Sequence, residues 1–304
     1  MKERRLLLIV NPFSGKAKMV TNLMAVTRIL SEKGFEVTVY PTKKAGDATV
    51  RASYVRQDEY DRIVVCGGDG TLNEVITGLM QSKVKCKVGY VPAGTLNEWS
   101  LGLSIPRSIT DAAKVAAGDS EVFLDIGKFG ERYFTYTASF GAFTEASYST
   151  PQEVKNVLGQ AAYFFEGIKS LANIHPIHLR FETDEKTVEG DYVFGAISNS
   201  LSVGGIVKFK ENVVKLNDGF FEVFLIKNPT NILQLQNVID GILRADLNRE
   251  NMEFFHTKKL KVTGGKGVSW TLDGEFAFGK DDLIIENIPS ALWLVSPEDR
   301  KESE

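Results

Sequence analysis

The sequence predicts an α/β protein: a doubly wound parallel-sheet domain at the N-terminus, followed by a mainly antiparallel β domain with a few helices. Three observations carry this. Over the first 130 or so residues, short apolar runs alternate with segments of helical period. From about Val122 strand-like segments follow one another with few helices between them. The pentapeptide GTLNE occurs twice, at 70–74 and 94–98, each time behind an apolar run.

Taken in order, 6–10 (LLLIV) reads as a buried strand. Residues 19–33 form a helix with Val20, Leu23, Met24, Thr27 and Leu30 on one face, stopped by Gly34. Strands follow at 35–40, 62–66 and 88–91, with helices at 48–57, 72–80 and 109–117. In the second half, 121–128, 133–140, 177–182, 192–198, 220–227, 268–272, 283–288 and 292–295 read as strands. Two helices, 153–171 and 231–244, interrupt them. The domain boundaries are drawn at 1–129 and 130–295, followed by a charged, frayed tail at 296–304.

With 304 residues, 43% apolar and 25% charged, the chain has the makeup of a globular protein with a large core. A net charge of −3 argues against a nucleic-acid partner. Two cysteines, Cys66 and Cys86, imply no disulfide framework and a reducing compartment. The apolar run at 6–10 is too short for a secretory core, and nothing approaches the roughly 20 apolar residues that cross a bilayer. The expected location is cytoplasmic, with peripheral contact at the inner membrane surface.

Both GTLNE copies leave the carboxyl end of a parallel strand, where open α/β sheets bind ligands. Each contains Thr-x-x-Glu, Thr71 with Glu74 and Thr95 with Glu98, the form of a capping box. Free N–H groups and the helix dipole behind them would suit an anion. Before the first copy stands Gly67-Gly68-Asp69-Gly70. Its glycines allow close backbone approach, and Asp69 offers a carboxylate to phosphate-bound Mg²⁺. In the second copy, Gly94 and Asn97 flank the turn. A third strand-to-helix loop, Asn11-Pro12-Phe13-Ser14-Gly15-Lys16, lacks the first glycine of a Walker A loop. Ser14, Gly15 and Lys16 could still meet a phosphate. A lone glycine-rich turn is more often a plain βα turn; three in this order point to nucleotide binding.

NPFSGK, GGDGTLNE and PAGTLNE, in that order, resemble the diacylglycerol kinase catalytic domain, and in particular the YegS-like bacterial lipid kinases. The segments at 124–128, 159–169, 198–200, 216–223 and 272–275 extend the resemblance over nearly the whole chain. GGDGT alone is shared with NAD kinases. The resemblance implies an ATP-binding α/β domain, a β-sandwich lipid-substrate domain, an active site in the cleft between them, and a tail at 296–304 that returns to the first domain. It also implies roles. Asp69 sits beside ATP and Mg²⁺, and Asn11, Thr71, Gly94 and Thr95 hold the nucleotide. Asp125 joins the metal and water network. Asp218 with the backbone of Lys215 forms a structural Mg²⁺ site. Glu275 is the general base for the lipid hydroxyl. Glu98 stands where the family more often has Asp, and Trp99-Ser100 replaces Phe-Ala, which puts a metal role for Glu98 in doubt.

Residue by residue, alternatives stay open. Glu275 and Asp273 could be solvent-facing hairpin carboxylates, Asn217-Asp218-Gly219 could be only a turn, and Asp69 could itself be the base. The histidines at 175, 178 and 256 show no zinc spacing. Cys66 reads as core, and Lys258, Lys259, Lys261 and Lys266 as a solvated face. The function read is phosphorylation of a lipid hydroxyl, with diacylglycerol giving phosphatidic acid. An NAD kinase-like enzyme and a non-catalytic nucleotide or lipid sensor are the alternatives. Edge strands of the β domain would suit a homodimer.

Overall fold

A computed structural model describes residues 4–15, 18–94, 97–142, 175–200, 202–203, 207–208 and 214–298. The chain divides into two compact units, 1–124 with 290–304, and 125–289.

In the first unit, β1 (Arg4–Val10), β2 (Phe35–Pro41), β3 (Arg62–Gly67) and β4 (Lys87–Pro92) run parallel in the order β2-β1-β3-β4. Leu6 to Ile9 and Ile63 to Cys66 are fully buried. That is the continuous apolar run expected where helices cover both faces of a parallel sheet. The helices are α1 (Lys18–Glu32), α2 (Asp47–Ser53), α3 (Asp69–Ser82), α4 (Glu98–Gly102) and α5 (Ile109–Ala117). α1 packs with α5, and α2 with α3. Arg62 opens a buried strand because its guanidinium donates to the Ala116 and Gly118 carbonyls at 2.7 and 2.8 Å, satisfying the end of α5.

The order β2-β1-β3 reverses direction between β1 and β3. Their carboxyl ends therefore flank the crevice in which this sheet class binds ligands.

β5 (Glu121–Phe129) carries the chain into the second unit. There follow β6 (Arg132–Phe134), β7 (Thr137–Gly141), β8 (Ile177–Glu182), β9 (Thr187–Ser198), the short pair β10 (Ser202–Val203) and β11 (Val207–Lys208), and β12 (Phe221–Lys227). After α6 (Ile232–Arg244), β13 (Met252–Thr257), β14 (Lys259–Thr263), β15 (Ser269–Leu272) and β16 (Glu275–Phe278) complete it. The last strand, β17 (Leu283–Val295), begins in the second unit, where it pairs antiparallel with β14, and ends in residues of the first unit, where Leu294 pairs parallel with Val88 of β4. The other pairings of the second unit are antiparallel. One core holds Phe134, Phe140, Phe181, Phe221, Trp270 and Ile285, and a second packs α6 against Phe194, Phe224 and Met252.

The sheet class is the one expected, with local corrections. The segment read as one strand at 133–140 breaks into β6 and β7, because the buried Asp273 carboxylate takes the N–H groups of Thr135, Tyr136 and Thr137. The two strands read at 283–288 and 292–295 are one, β17, with Ser290 in the left-handed region at φ 50°. β13, β14 and β16 were not anticipated. Lys258, Lys259 and Lys266 are exposed and Lys261 is part-exposed, the solvated face expected, while Leu260 and Val262 between them are buried in strand β14. The helix expected at 153–171 lies outside the described residues.

Candidate active site

Three loops meet at the carboxyl ends of β1, β3 and β4. Asn11 donates its backbone N–H to Cys66 O at 2.8 Å, and Ala93 donates to Gly67 O at 2.8 Å, so each strand hands its register to the next loop. Asn11 Nδ2 donates to Thr71 Oγ1 at 3.1 Å, tying the first loop to α3. Asn11 Oδ1 accepts from Phe13 N at 3.0 Å, and Ser14 N donates to Asn11 O at 3.3 Å, folding the loop on itself.

Glycine is required where these loops touch. Gly15 has φ 58°, and a Cβ there would run into the Ala93 carbonyl. A Cβ on Gly94 would lie 2.6 Å from both Gly68 Cα and Asn97 Oδ1. Gly94→Ala is therefore expected to push the two GTLNE loops apart. It should weaken ATP binding by at least about tenfold, equivalent to about 1.4 kcal/mol, with little change in melting temperature. Titration of ATP by calorimetry checks this; unchanged affinity would show that the close approach does not shape the nucleotide site.

α3 begins at Asp69, three residues earlier than its apolar period suggests, with extended Gly68 as N-cap and no side chain capping it. The uncapped first turn presents the positive end of the helix dipole beside the glycine loop. This corrects the first capping box. Thr71 lies inside the helix, and its hydroxyl serves Asn11. Glu74 instead reaches α2, where its two oxygens accept from Gly46 N at 2.8 Å and Ala48 N at 3.1 Å. Its carboxylate caps a neighbouring helix and not its own. In the second copy, Thr95 lies outside the described residues, as does Lys16 of the first loop. Asn97 does the closing there. In the left-handed region at φ 51°, it accepts from Gly94 N at 3.0 Å and donates to Gly94 O at 2.9 Å.

Tyr90 is the residue that sequence reasoning missed. Its buried hydroxyl lies 3.3 Å from Asp69 Oδ1 and 3.4 Å from Asn97 Oδ1, joining the two GTLNE turns. Burial, then the neighbouring Asp69 charge, push its ionisation well above the usual tyrosine range. It stays a neutral hydroxyl able to donate to the carboxylate. A tyrosine within VGYVP gives no sequence signal beyond β propensity. Cys66 is fully buried, and burial raises its thiol far above the usual range, so it is inert core.

In the second unit, Asp125 of β5 holds the turn that carries Asp218. Asp125 is 1% exposed, and its Oδ2 accepts from Gly219 N at 2.6 Å. Asp125 N donates to Leu216 O at 2.9 Å, and Asn199 Nδ2 donates to Asp125 O at 3.1 Å. Asp218 is exposed and accepts from Phe220 N at 2.9 Å. Oxygen donors of this kind suit Mg²⁺. Among the described residues no group of three His, Cys, Asp or Glu side chains forms a ready metal cage. A Mg²⁺ held by Asp218 and the Lys215 carbonyl would draw its other ligands from carbonyls, water or phosphate, which is the habit of this ion. Glu275 opens β16 just after the Asp273-Gly274 turn; its side chain is half exposed, with Arg132 Nη2 at 3.7 Å.

A parallel sheet whose glycine loops converge at its switch point, and an antiparallel β domain with the buried carboxylates Asp125, Glu222 and Asp273, form an arrangement that suits a phosphotransferase. The model of the diacylglycerol kinase catalytic domain matches residues 5–129, and that of the YegS C-terminal NAD kinase beta sandwich-like domain matches residues 139–296. A diacylglycerol kinase of Staphylococcus carnosus is 30% identical over 302 residues, covering 99% of this chain and 98% of its own. A diacylglycerol kinase of Staphylococcus aureus is 30% identical over 297 residues, covering 97% and 93%. A crystal structure of a diacylglycerol kinase from Bacillus anthracis superposes with TM-score 0.80 at 26% identity, covering 98% of this chain and 99% of that one. The chain belongs to the diacylglycerol kinase catalytic domain family, with a YegS-type second domain, and is a kinase acting on an alcohol acceptor.

Proposed function

We propose that this protein transfers the γ-phosphoryl group of ATP, with Mg²⁺, to the free hydroxyl of diacylglycerol, giving phosphatidic acid and ADP. The reading is carried by the glycine cradle at the β1/β3 switch point, on a chain that matches relatives named diacylglycerol kinase from end to end. Gly67, Gly68, Gly70, Gly94 and the start of α3 receive the phosphates through backbone N–H groups. Asn11, Ser14, Gly15, Lys16, Thr71, Thr95 and Asn97 complete the nucleotide site. Asp69 would offer its carboxylate to a phosphate-bound Mg²⁺, Asp125 would join the metal and water network, and Asp218 with the Lys215 carbonyl would hold a structural Mg²⁺. Mg²⁺, when bound, neutralises charge on the transferring phosphoryl group.

Glu275 takes the proton of the attacking hydroxyl as its oxygen bonds to phosphorus and the bond to ADP breaks. A half-exposed carboxylate at the lip of a hairpin suits a base that must reach a bulky acceptor. Contact with the membrane is read as peripheral, at its inner surface, because a diacylglycerol acceptor resides in a bilayer.

The test is ADP release with ATP and Mg²⁺, comparing diacylglycerol mixed micelles, NAD⁺ and no acceptor. Diacylglycerol-dependent turnover is expected. Turnover with NAD⁺ alone would replace the reading with the NAD kinase-like one. ATP binding without turnover on any lipid would make the protein a sensor.

A further inference from the structure

Asp273 is an acid where the turn does not ask for one. Leu272 and Glu275 pair across a two-residue hairpin whose central residues, Asp273 and Gly274, have φ 51° and 84°. That geometry takes Asn-Gly as readily as Asp-Gly. Burying a carboxylate carries a desolvation cost, so a carboxylate here needs a further reason. Burial does push its ionisation upward, while its hydrogen bonds pull the other way.

Those bonds supply the reason. Asp273 Oδ2 accepts from Thr135 N at 2.6 Å and Thr135 Oγ1 at 2.8 Å, and Oδ1 accepts from Tyr136 N at 3.0 Å and Thr137 N at 3.1 Å. Asp273 N returns a bond to Thr137 O at 2.9 Å. Four donors fill the roughly four lone-pair sites of a carboxylate, so Asp273 has no room to receive a substrate proton. The clamped segment is held from its other side. Tyr136 O accepts from Ser198 Oγ at 3.0 Å and from Asn199 N at 2.9 Å. Asn199 Nδ2 then donates to Asp125 O.

We infer that Asp273 is a positioning residue: it locks the turn bearing Glu275 into one hydrogen-bonded frame with Asp125, running through Thr135–Thr137 and Asn199. The inference rests on the reading of Glu275 as the base. Asn at 273 would keep the turn but set an NH₂ group against N–H donors, loosening the frame without removing the base. Small misplacements of a reacting group cost large factors in rate.

The test is a double-mutant cycle on the full chain. Asp273→Asn is expected to lower kcat for the lipid by about tenfold or more, with KM for ATP changed less than about threefold. Glu275→Gln is expected to lower kcat by about 10²-fold or more. In the Glu275→Gln background, Asp273→Asn should cost less than about threefold, since a residue acting through Glu275 has nothing left to position. Equal losses in both backgrounds would overturn the inference and leave Glu275 as base. Full activity of Glu275→Gln would overturn the base reading itself. Amide exchange gives a readout free of activity: Asp273→Asn should speed exchange at 135–137 and leave α3 unchanged. Unaltered exchange at 135–137 would also overturn the inference. Should Asp273→Asn fail to fold, Thr135→Val removes a single donor and is expected to give a smaller kcat loss, with the same non-additivity.

Discussion

Replacing Asp69 with Asn is expected to lower ATP-dependent turnover by about 10²- to 10³-fold while leaving the fold intact. The side chain sits in the first turn of α3, beside Gly68 and Gly70 and within reach of the Tyr90 hydroxyl. On the proposed reading a carboxylate there would be a hard oxygen ligand for a phosphate-bound cation; an amide keeps the shape and loses the charge. The magnitude is that of removing one preorganised electrostatic group from a transition state. Initial rates over a range of Mg²⁺ concentrations check it: the loss should be partly relieved by high Mg²⁺ if Asp69 acts through the ion. Full activity in Asp69→Asn would remove Asp69 from the reaction. Tyr90→Phe, which withdraws only the hydroxyl linking Asp69 to Asn97, should show a loss in the same sense but smaller.

The second large effect is on stability, at Glu222. This side chain is 0% exposed on β12, and neither of its oxygens has a hydrogen-bond partner among the described residues. His256 Nε2 stands 3.8 Å away across the pairing with β13. Burial first, and then the Asp218 and Asp125 charges, raise its ionisation to about 8 from an ordinary 4.5. The sign follows from proton binding. Between about pH 4.5 and 8 the folded chain holds a proton on Glu222 that the unfolded chain has lost, so stability falls as pH rises through that window and levels off above it.

Glu222→Gln carries no such proton. Relative to the parent, it should be near neutral at pH 5 and more stable at pH 8.5. The gap is bounded by the 3.5-unit shift at about 1.4 kcal/mol each, on the order of 5 kcal/mol. Denaturant melts of both proteins at pH 5, 7 and 8.5 measure it. A gap that does not widen with pH would mean that Glu222 is ionised in the folded protein.

Much of this molecule was legible in its residues. Buried runs such as LLLIV and RIVVC could only be parallel strands, and α5 was read at 109–117, the residues it occupies. The order NPFSGK, GGDGTLNE, PAGTLNE pointed to a nucleotide before any geometry was known. These features are local: a period, a turn composition or a glycine is written in consecutive residues.

What the tertiary structure decided is which distant partner each polar group serves. Nothing near Glu74 says that it caps α2, 26 and 28 residues upstream. Tyr90 looks like one more apolar strand residue until Asp69 and Asn97 converge on its hydroxyl. Asp273 reads as a hairpin acid in water, yet it is buried beneath donors from residues 135–137. Local pattern determines where strands and helices form, because backbone geometry and apolar burial act over a few residues. Side-chain hydrogen bonds act only between groups that the finished fold has brought within about 3 Å, and no run of neighbouring residues records that distance.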